Sequence, residues 1–269
     1  MAISIRPRVE RLVRARFENL VAPVTLLCFT KRHDCPACDE ERALLRTLAS
    51  LSEKLELDLR ELPADAAAAT RYRVDKTPAT VLLGERDYGI RFYGLTGGYA
   101  FGPLVDAIVM ASTGRSGLDA DVEAAVRAIK KRLHLEVFVS LRCPGCADMV
   151  RRAHEIAFAG SKVVADMVDM AEFPALAERY GLHGVPRTVV NGSAAPSPAG
   201  EIAKWLGILD AGATICRMSP HACAATGSRP GAEAGPEPLW WEPVFAARSW
   251  HRDRGIRSSL SHHNGGDPG

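Results

Sequence analysis

Seven cysteines are spread over 269 residues, and four of them form two Cys-x-x-Cys pairs. Cys35-Pro36-Ala37-Cys38 recurs as Cys143-Pro144-Gly145-Cys146, 108 positions further on. Two thiols at this spacing can close to a disulfide and reopen, so the pattern suits thiol–disulfide exchange. A cysteine attacks a disulfide as its thiolate, and at a free pKa near 8.5 only a few per cent is ionised at neutral pH. What the chemistry needs is a setting that favours the anion. A helix N-terminus supplies one through its unpaired N–H groups and the positive end of its dipole. Cys35 and Cys143 are therefore the expected nucleophiles, with lowered pKa values. Cys38 and Cys146, one helical turn on, would attack the mixed disulfide and release the substrate. Pro36 and Pro144 suit a first helical turn, where a missing N–H costs no helical hydrogen bond.

Each pair has a proline 43 positions after its first cysteine, in a similar frame: Arg71-Tyr72-Arg73-Val74-Asp75-Lys76-Thr77-Pro78-Ala79-Thr80 and Arg179-Tyr180-Gly181-Leu182-His183-Gly184-Val185-Pro186-Arg187-Thr188. An X–Pro bond can be cis at modest cost, and such a bond at a strand start leaves the preceding backbone free to pair with an extended substrate segment. Thr77 with Pro78, and Val185 with Pro186, are expected to orient the substrate.

The elements that must hold these residues are also repeated. Val24 to Thr30 and Leu133 to Ser140 read as buried strands ending just short of each dithiol. Leu44, Leu45, Leu48 and Leu51 after the first motif, and Met149, Val150, Ala153 and Ile156 after the second, continue at helical spacing. Each dithiol therefore sits where a strand turns into a helix. Val9, Leu12, Val13, Phe17 and Leu20 predict an amphipathic opening helix, and Val122, Val126 and Ile129 repeat that pattern before the second unit. Leu55, Leu57 and Leu59 alternate as in a strand, and Val163 to Ala165 form a short apolar run. Helical segments are expected near Ala64–Tyr72 and Phe173–Tyr180. Thr80–Leu83 and Ile90–Tyr93 predict a hairpin around Gly84 to Gly89, and Phe101 to Val109 a closing helix. Ala111 to Gly117 reads as the junction. After Asn191 the second unit departs from the plan, because Pro196 and Pro198 argue against a strand where a hairpin partner is due. Ile202 to Leu209 could make a short closing helix. From about Gly227 the chain becomes rich in Gly, Pro, Ser, Arg and His, with isolated tryptophans at 240, 241 and 250, and is expected to be disordered by itself.

A repeat this long indicates a duplicated domain, since solenoid units run to roughly 20–50 residues. The net charge of +2 gives no sign of a nucleic-acid partner, and no apolar run is long enough to span a bilayer. Cysteines paired as Cys-x-x-Cys, without a secretory-type apolar segment near the start, predict a cytoplasmic redox protein. A single four-cysteine zinc site would need the pairs much closer in sequence than they are. Cys28, inside an apolar strand, reads as a small buried hydrophobe. Cys216, Cys223 and His221, and His262-His263, are weak metal candidates. Arg142 should favour the Cys143 thiolate, Asp34 should oppose ionisation of Cys35, and His33 would help only when protonated. Asp58 and Asp166 are candidate buried acids for proton transfer.

Each unit resembles the thioredoxin and glutaredoxin fold, with Cys-Pro-x-Cys nearer the glutaredoxin pattern. The tandem, together with Ile90-Arg91-Phe92-Tyr93-Gly94-Leu95-Thr96-Gly97-Gly98-Tyr99-Ala100-Phe101, resembles the protein disulfide oxidoreductases known chiefly from thermophiles. The resemblance spans roughly residues 5 to 192. It implies an α/β protein of two tandem thioredoxin-like units, each a central mixed sheet flanked by helices, at 1–114 and 115–210, with a tail over 211–269. The second unit would be atypical at its C-terminal hairpin. It also implies protein-disulfide reductase, oxidase or isomerase activity on disulfide-containing proteins, electrons from a thioredoxin-reductase-like flavoprotein, and no cofactor besides the redox-active disulfides Cys35–Cys38 and Cys143–Cys146. A narrower alternative is a relay to one peroxidase of the peroxiredoxin kind, as in the tandem N-terminal domain of alkyl hydroperoxide reductase flavoproteins. Two intact dithiols count against it, because that family's first site has usually lost its pair. A zinc-stabilised binding module is the alternative from a different class.

Overall fold

A computed structural model of the chain describes residues 5–194. The expectations for Pro196, Pro198, the 202–209 helix, Cys216, Cys223, His221, the histidine pair and the tryptophans fall outside the described residues.

The first unit opens with α1 (Pro7–Phe17), which buries Val9, Val13 and Phe17 but leaves Leu12 at the surface. Strand β1 (Val24–Lys31) follows, then α2 (Pro36–Ala49), β2 (Leu55–Leu62), α3 (Ala66–Tyr72), β3 (Ala79–Leu83) and β4 (Asp87–Tyr93). A 3-10 turn (Gly98–Ala100) leads into α4 (Phe101–Thr113). This helix takes up the first residues of the expected junction and ends at Gly114, whose φ of 72° is readily adopted by glycine. The hairpin is tighter than its glycines suggest: β4 starts at Asp87 and absorbs Gly89, with a register shift between Leu82 and Leu83.

The second unit repeats the order with α5 (Ala120–Arg127), β5 (Leu133–Val139), α6 (Pro144–Ala159), β6 (Val163–Asp169), α7 (Pro174–Arg179), β7 (Arg187–Val190) and β8 (Ser193–Ala194). Strand β6 runs well past the apolar residues that announce it and buries Asp166 and Asp169. The hairpin partner that the prolines argued against exists as the two-residue β8, which pairs Val189 with Ala194 and Val190 with Ser193. Its cause is Asn191-Gly192, both at positive φ (49° and 81°). Two left-handed residues between paired strands make the tight turn whose twist matches a hairpin, and Asn-Gly is its strongest sequence signal.

Among the described residues, all eight strands form one sheet in the order β2-β1-β3-β4-β6-β5-β7-β8. Within each unit the first strand pairs parallel with the second and antiparallel with the third. The units join where β4 pairs parallel with β6, over Ile90–Tyr93 and Ala165–Val168. Alternation along the strands sorts side chains to two faces. One face packs against α1, α2, α4, α5 and α6, in an apolar core that runs through both units. The other carries Leu27, Phe29, Val81, Phe138 and Val168 against α3 and α7.

Candidate active site

Cys35 is the N-cap of α2 and Cys143 the N-cap of α6, each followed by its proline at the start of the helix. In both units the first cysteine is half-buried and the second is closed off, at 0% exposure for Cys38 and 2% for Cys146. Both pairs are closed as disulfides, with Cα atoms 5.2 and 5.3 Å apart. The Cys38 amide bonds the Cys35 carbonyl (3.0 Å), as the Cys146 amide does that of Cys143 (3.2 Å). Cys38 Sγ also accepts the Lys31 amide at 3.4 Å. Each pair is thus closed on itself, and the four sulfurs are not gathered into one metal site.

Strand pairing brings the prolines alongside. Ala79 is registered with Phe29 near the end of β1, and Arg187 with Phe138 near the end of β5. Pro78 and Pro186, one residue earlier, therefore lie beside the strand ends from which the dithiol loops leave. The Thr77–Pro78 and Val185–Pro186 bonds are both cis. Thr77 and Val185 are half-buried, and Val185 and Cys143 pack on the edge of the same apolar core. A third cis bond, Leu62–Pro63, has no counterpart among the sequence expectations.

One member of this site is not apparent from the sequence. Glu41, one helical turn after Cys38 on the buried face of α2, is completely buried. Its carboxylate accepts the Thr96 amide (2.8 Å), the Thr96 hydroxyl (2.9 Å) and the Thr80 hydroxyl (3.2 Å). Burial raises its pKa to about 7; the hydrogen bonds from Thr96 and Thr80 pull down, and the negative charge of Asp169 adds to the rise. Its position among Cys38, Leu44, Leu45 and Leu48 on one apolar stripe is the available signal. The two acids nominated from the sequence lie elsewhere. Asp58 is partly exposed and salt-bridged to Arg60 at 2.6 Å. Asp166 is buried, but on the α3/α7 face, away from the dithiol helices. Cys28 is buried in β1, and burial with the nearby Glu41 charge raises its thiol pKa far above the ordinary value, as expected of an inert residue.

The second unit has no counterpart to Glu41. The position equivalent by repeat holds Met149, and Thr188, matching Thr80, leaves its buried hydroxyl without a hydrogen-bond partner among the described residues. Instead, the first unit reaches across to this site. Two residues beyond Thr96, Gly98 (φ 56°) lies against Leu141, and the Tyr99 amide bonds the Leu141 carbonyl at 3.0 Å, two residues before Cys143. A chain of contacts thus runs from α2 through Glu41 and Thr96 to the loop that carries the second dithiol.

Known proteins share this arrangement. The thioredoxin-domain family matches residues 133–198. The solved structure of the alkylhydroperoxide reductase AhpF from Enterococcus faecalis is 29% identical, with 76% of this chain and all of that chain covered and a TM-score of 0.71. The chain has the tandem thioredoxin-like fold, with one Cys-x-x-Cys disulfide in each unit. A protein disulfide oxidoreductase from Aeropyrum pernix shares the fold at 24% identity, covering 71% of this chain and 86% of its own, with a TM-score of 0.67. Among curated proteins, an NADH dehydrogenase of Bacillus subtilis is 29% identical over 56% of this chain and 27% of its own length. The tandem thioredoxin-fold chain spans about a quarter of the length of the first curated relatives it matches. Among its described residues no helix is long and apolar enough to cross a membrane.

Proposed function

We propose that the chain is a cytoplasmic protein-disulfide oxidoreductase that works by dithiol exchange at both sites. The observation that carries this reading is the same in each unit: a half-buried cysteine at a helix N-cap, backed by a buried cysteine one turn on. In the reductive direction the Cys35 or Cys143 thiolate attacks a substrate disulfide, forming a mixed disulfide and expelling one substrate thiolate. Cys38 or Cys146, as its thiolate, then attacks the first cysteine's sulfur. That step closes the enzyme disulfide and releases the second substrate thiolate, so two electrons have passed to the substrate. Thr77-Pro78 and Val185-Pro186 flank the two sites and would align the incoming segment. Glu41 would take up and return the Cys38 proton, which suits a carboxyl whose pKa is about 7. Electrons travel as thiols with no prosthetic group, and a thioredoxin-reductase-like flavoprotein would restore the dithiols.

A second reading is a relay dedicated to one peroxidase, favoured by the likeness to an alkylhydroperoxide reductase component. Trapping separates the two. With Cys38→Ser and Cys146→Ser the mixed disulfide cannot be resolved, so substrates stay attached. Several unrelated proteins held through Cys35 and Cys143 support the general enzyme; one peroxidase and nothing else supports the relay; no adduct at all contradicts both.

A further inference from the structure

The α3/α7 face of the sheet holds a second cluster of chemistry-bearing side chains that the exchange reaction does not use. His134 and Glu136 are two residues apart on β5, and Asp166 is registered opposite Glu136 on β6, so all three share that face. Each can offer one ligand atom, and the three atoms lie within 4.8 Å of one another. His134 Nε2 is 2.6 Å from Asp166 Oδ2. Both carboxylates are buried, Glu136 at 5% and Asp166 at 3% exposure, whereas the His134 side chain is 43% exposed and opens the cluster to solvent.

Two further observations bear on what the cluster is for. Asp166 Oδ1 is buried and has no hydrogen-bond partner among the described residues. A carboxylate oxygen taken out of water without compensation is costly, so this atom calls for a ligand. Of the surrounding cations, Arg91 is registered opposite Asp166, and its buried Nη1 has no hydrogen-bond partner among the described residues. Arg91 on β4 is paired with Asp87 at 2.9 Å, and Lys76 with Asp75 at 2.8 Å. The hydroxyls facing the cluster are Tyr180, which donates to Glu136 Oε2 at 3.0 Å, and Tyr93, which donates to the Arg73 carbonyl at 3.3 Å. Two buried carboxylates face one imidazole, with the Arg91 guanidinium on the neighbouring strand beside Asp166.

We infer that His134, Glu136 and Asp166 form a binding site for a divalent transition-metal cation, with zinc as the best-matched ion and solvent completing its coordination. One imidazole nitrogen and two carboxylate oxygens are donors zinc accepts at about 2.0–2.2 Å, and three protein ligands leave a position open. Ligand atoms at that distance in tetrahedral array stand about 3.4 Å apart. That value lies between the observed 2.6 Å and the 4.8 Å limit, so small side-chain rotations would suffice. The ion would supply a partner for Asp166, and the Tyr180 hydroxyl, through its hydrogen bond to Glu136 Oε2, would hold that carboxylate in orientation. A cation here would tie β5 to β6 and, through Tyr180, to the end of α7.

The test uses the full chain with both dithiols oxidised, so that their sulfurs cannot ligate, and zinc ion alone as the probe. Equilibrium dialysis is compared for the unaltered chain, Asp166→Asn and His134→Gln. The expected result is one equivalent of zinc fewer in each variant, or that equivalent bound at least about tenfold more weakly. In the unaltered chain the nitrogen NMR signal of His134 Nε2 should shift as that equivalent is added, a readout that needs no variant to fold. Equal zinc content in all three chains, or an unmoved His134 signal at saturating zinc, would overturn the site and leave His134–Asp166 a plain ion pair.

Discussion

Glu41 is where a single residue says most about this molecule. A carboxyl at the surface of α2 would gain nothing from Thr80 and Thr96; completely buried, it needs all three of their hydrogen bonds and still keeps a pKa near 7. The folded chain holds this proton up to about pH 7, and the unfolded chain releases it near 4.5. Between those values the folded state binds more protons, so stability falls as pH rises. At 1.36 kcal/mol per pKa unit the loss is on the order of 3 kcal/mol. Glu41→Gln should therefore flatten the decline in denaturant midpoint between pH 5 and 8; an unchanged decline would mean that Glu41 is not the titrating group. The cysteines yield a second prediction at this scale. In the reduced protein, iodoacetamide followed by mass spectrometry should label Cys35 and Cys143 well before Cys38, Cys146 and Cys28, because only the first two are half-exposed at helix N-caps. Faster labelling of Cys38 or Cys146 would reverse the assigned roles.

At the scale of elements, much of the architecture is legible in the sequence because strands and helices announce themselves by periodicity and each dithiol lies at a strand-to-helix turn. What periodicity hides is polar or short. Glu41 lies on an apolar stripe that a reader completes with hydrophobes, and β6 reads as too short because its aspartates interrupt the apolar run. Strand β8 is two residues long, and the Asn191-Gly192 turn announcing it stands close to two distracting prolines. The pairing of β4 with β6 is invisible, since no local pattern encodes which edge meets which. The contact between Gly98 and Leu141 also joins elements far apart in sequence, and it carries a prediction. A methyl group added at Gly98 would press into the Leu141 backbone, at a left-handed φ of 56° that costs an ordinary residue about 1–2 kcal/mol. Gly98→Ala in a Cys35→Ser background should slow disulfide reduction at the second site several-fold, whereas in a Cys143→Ser background the first site should be little affected. Equal effects on both sites would indicate general destabilisation.

For the molecule as a whole, one sheet and one apolar core run through both units, so the repeat is a unit of ancestry more than of stability. Calorimetry at neutral pH should give a single unfolding transition for the described region; two well-separated transitions would mean that the β4–β6 seam couples the halves weakly. Within this shared frame the two dithiols differ: one has a buried acid behind it, the other borrows a contact from its neighbour. Both dithiols are expected to be competent in exchange, and the most direct test is dithiothreitol-driven insulin reduction by the intact chain, Cys35→Ser, Cys143→Ser and the double variant at equal folded concentration. Partial activity in each single variant and none in the double variant is the predicted result. Undiminished activity in the double variant, or none in the intact chain, would contradict it.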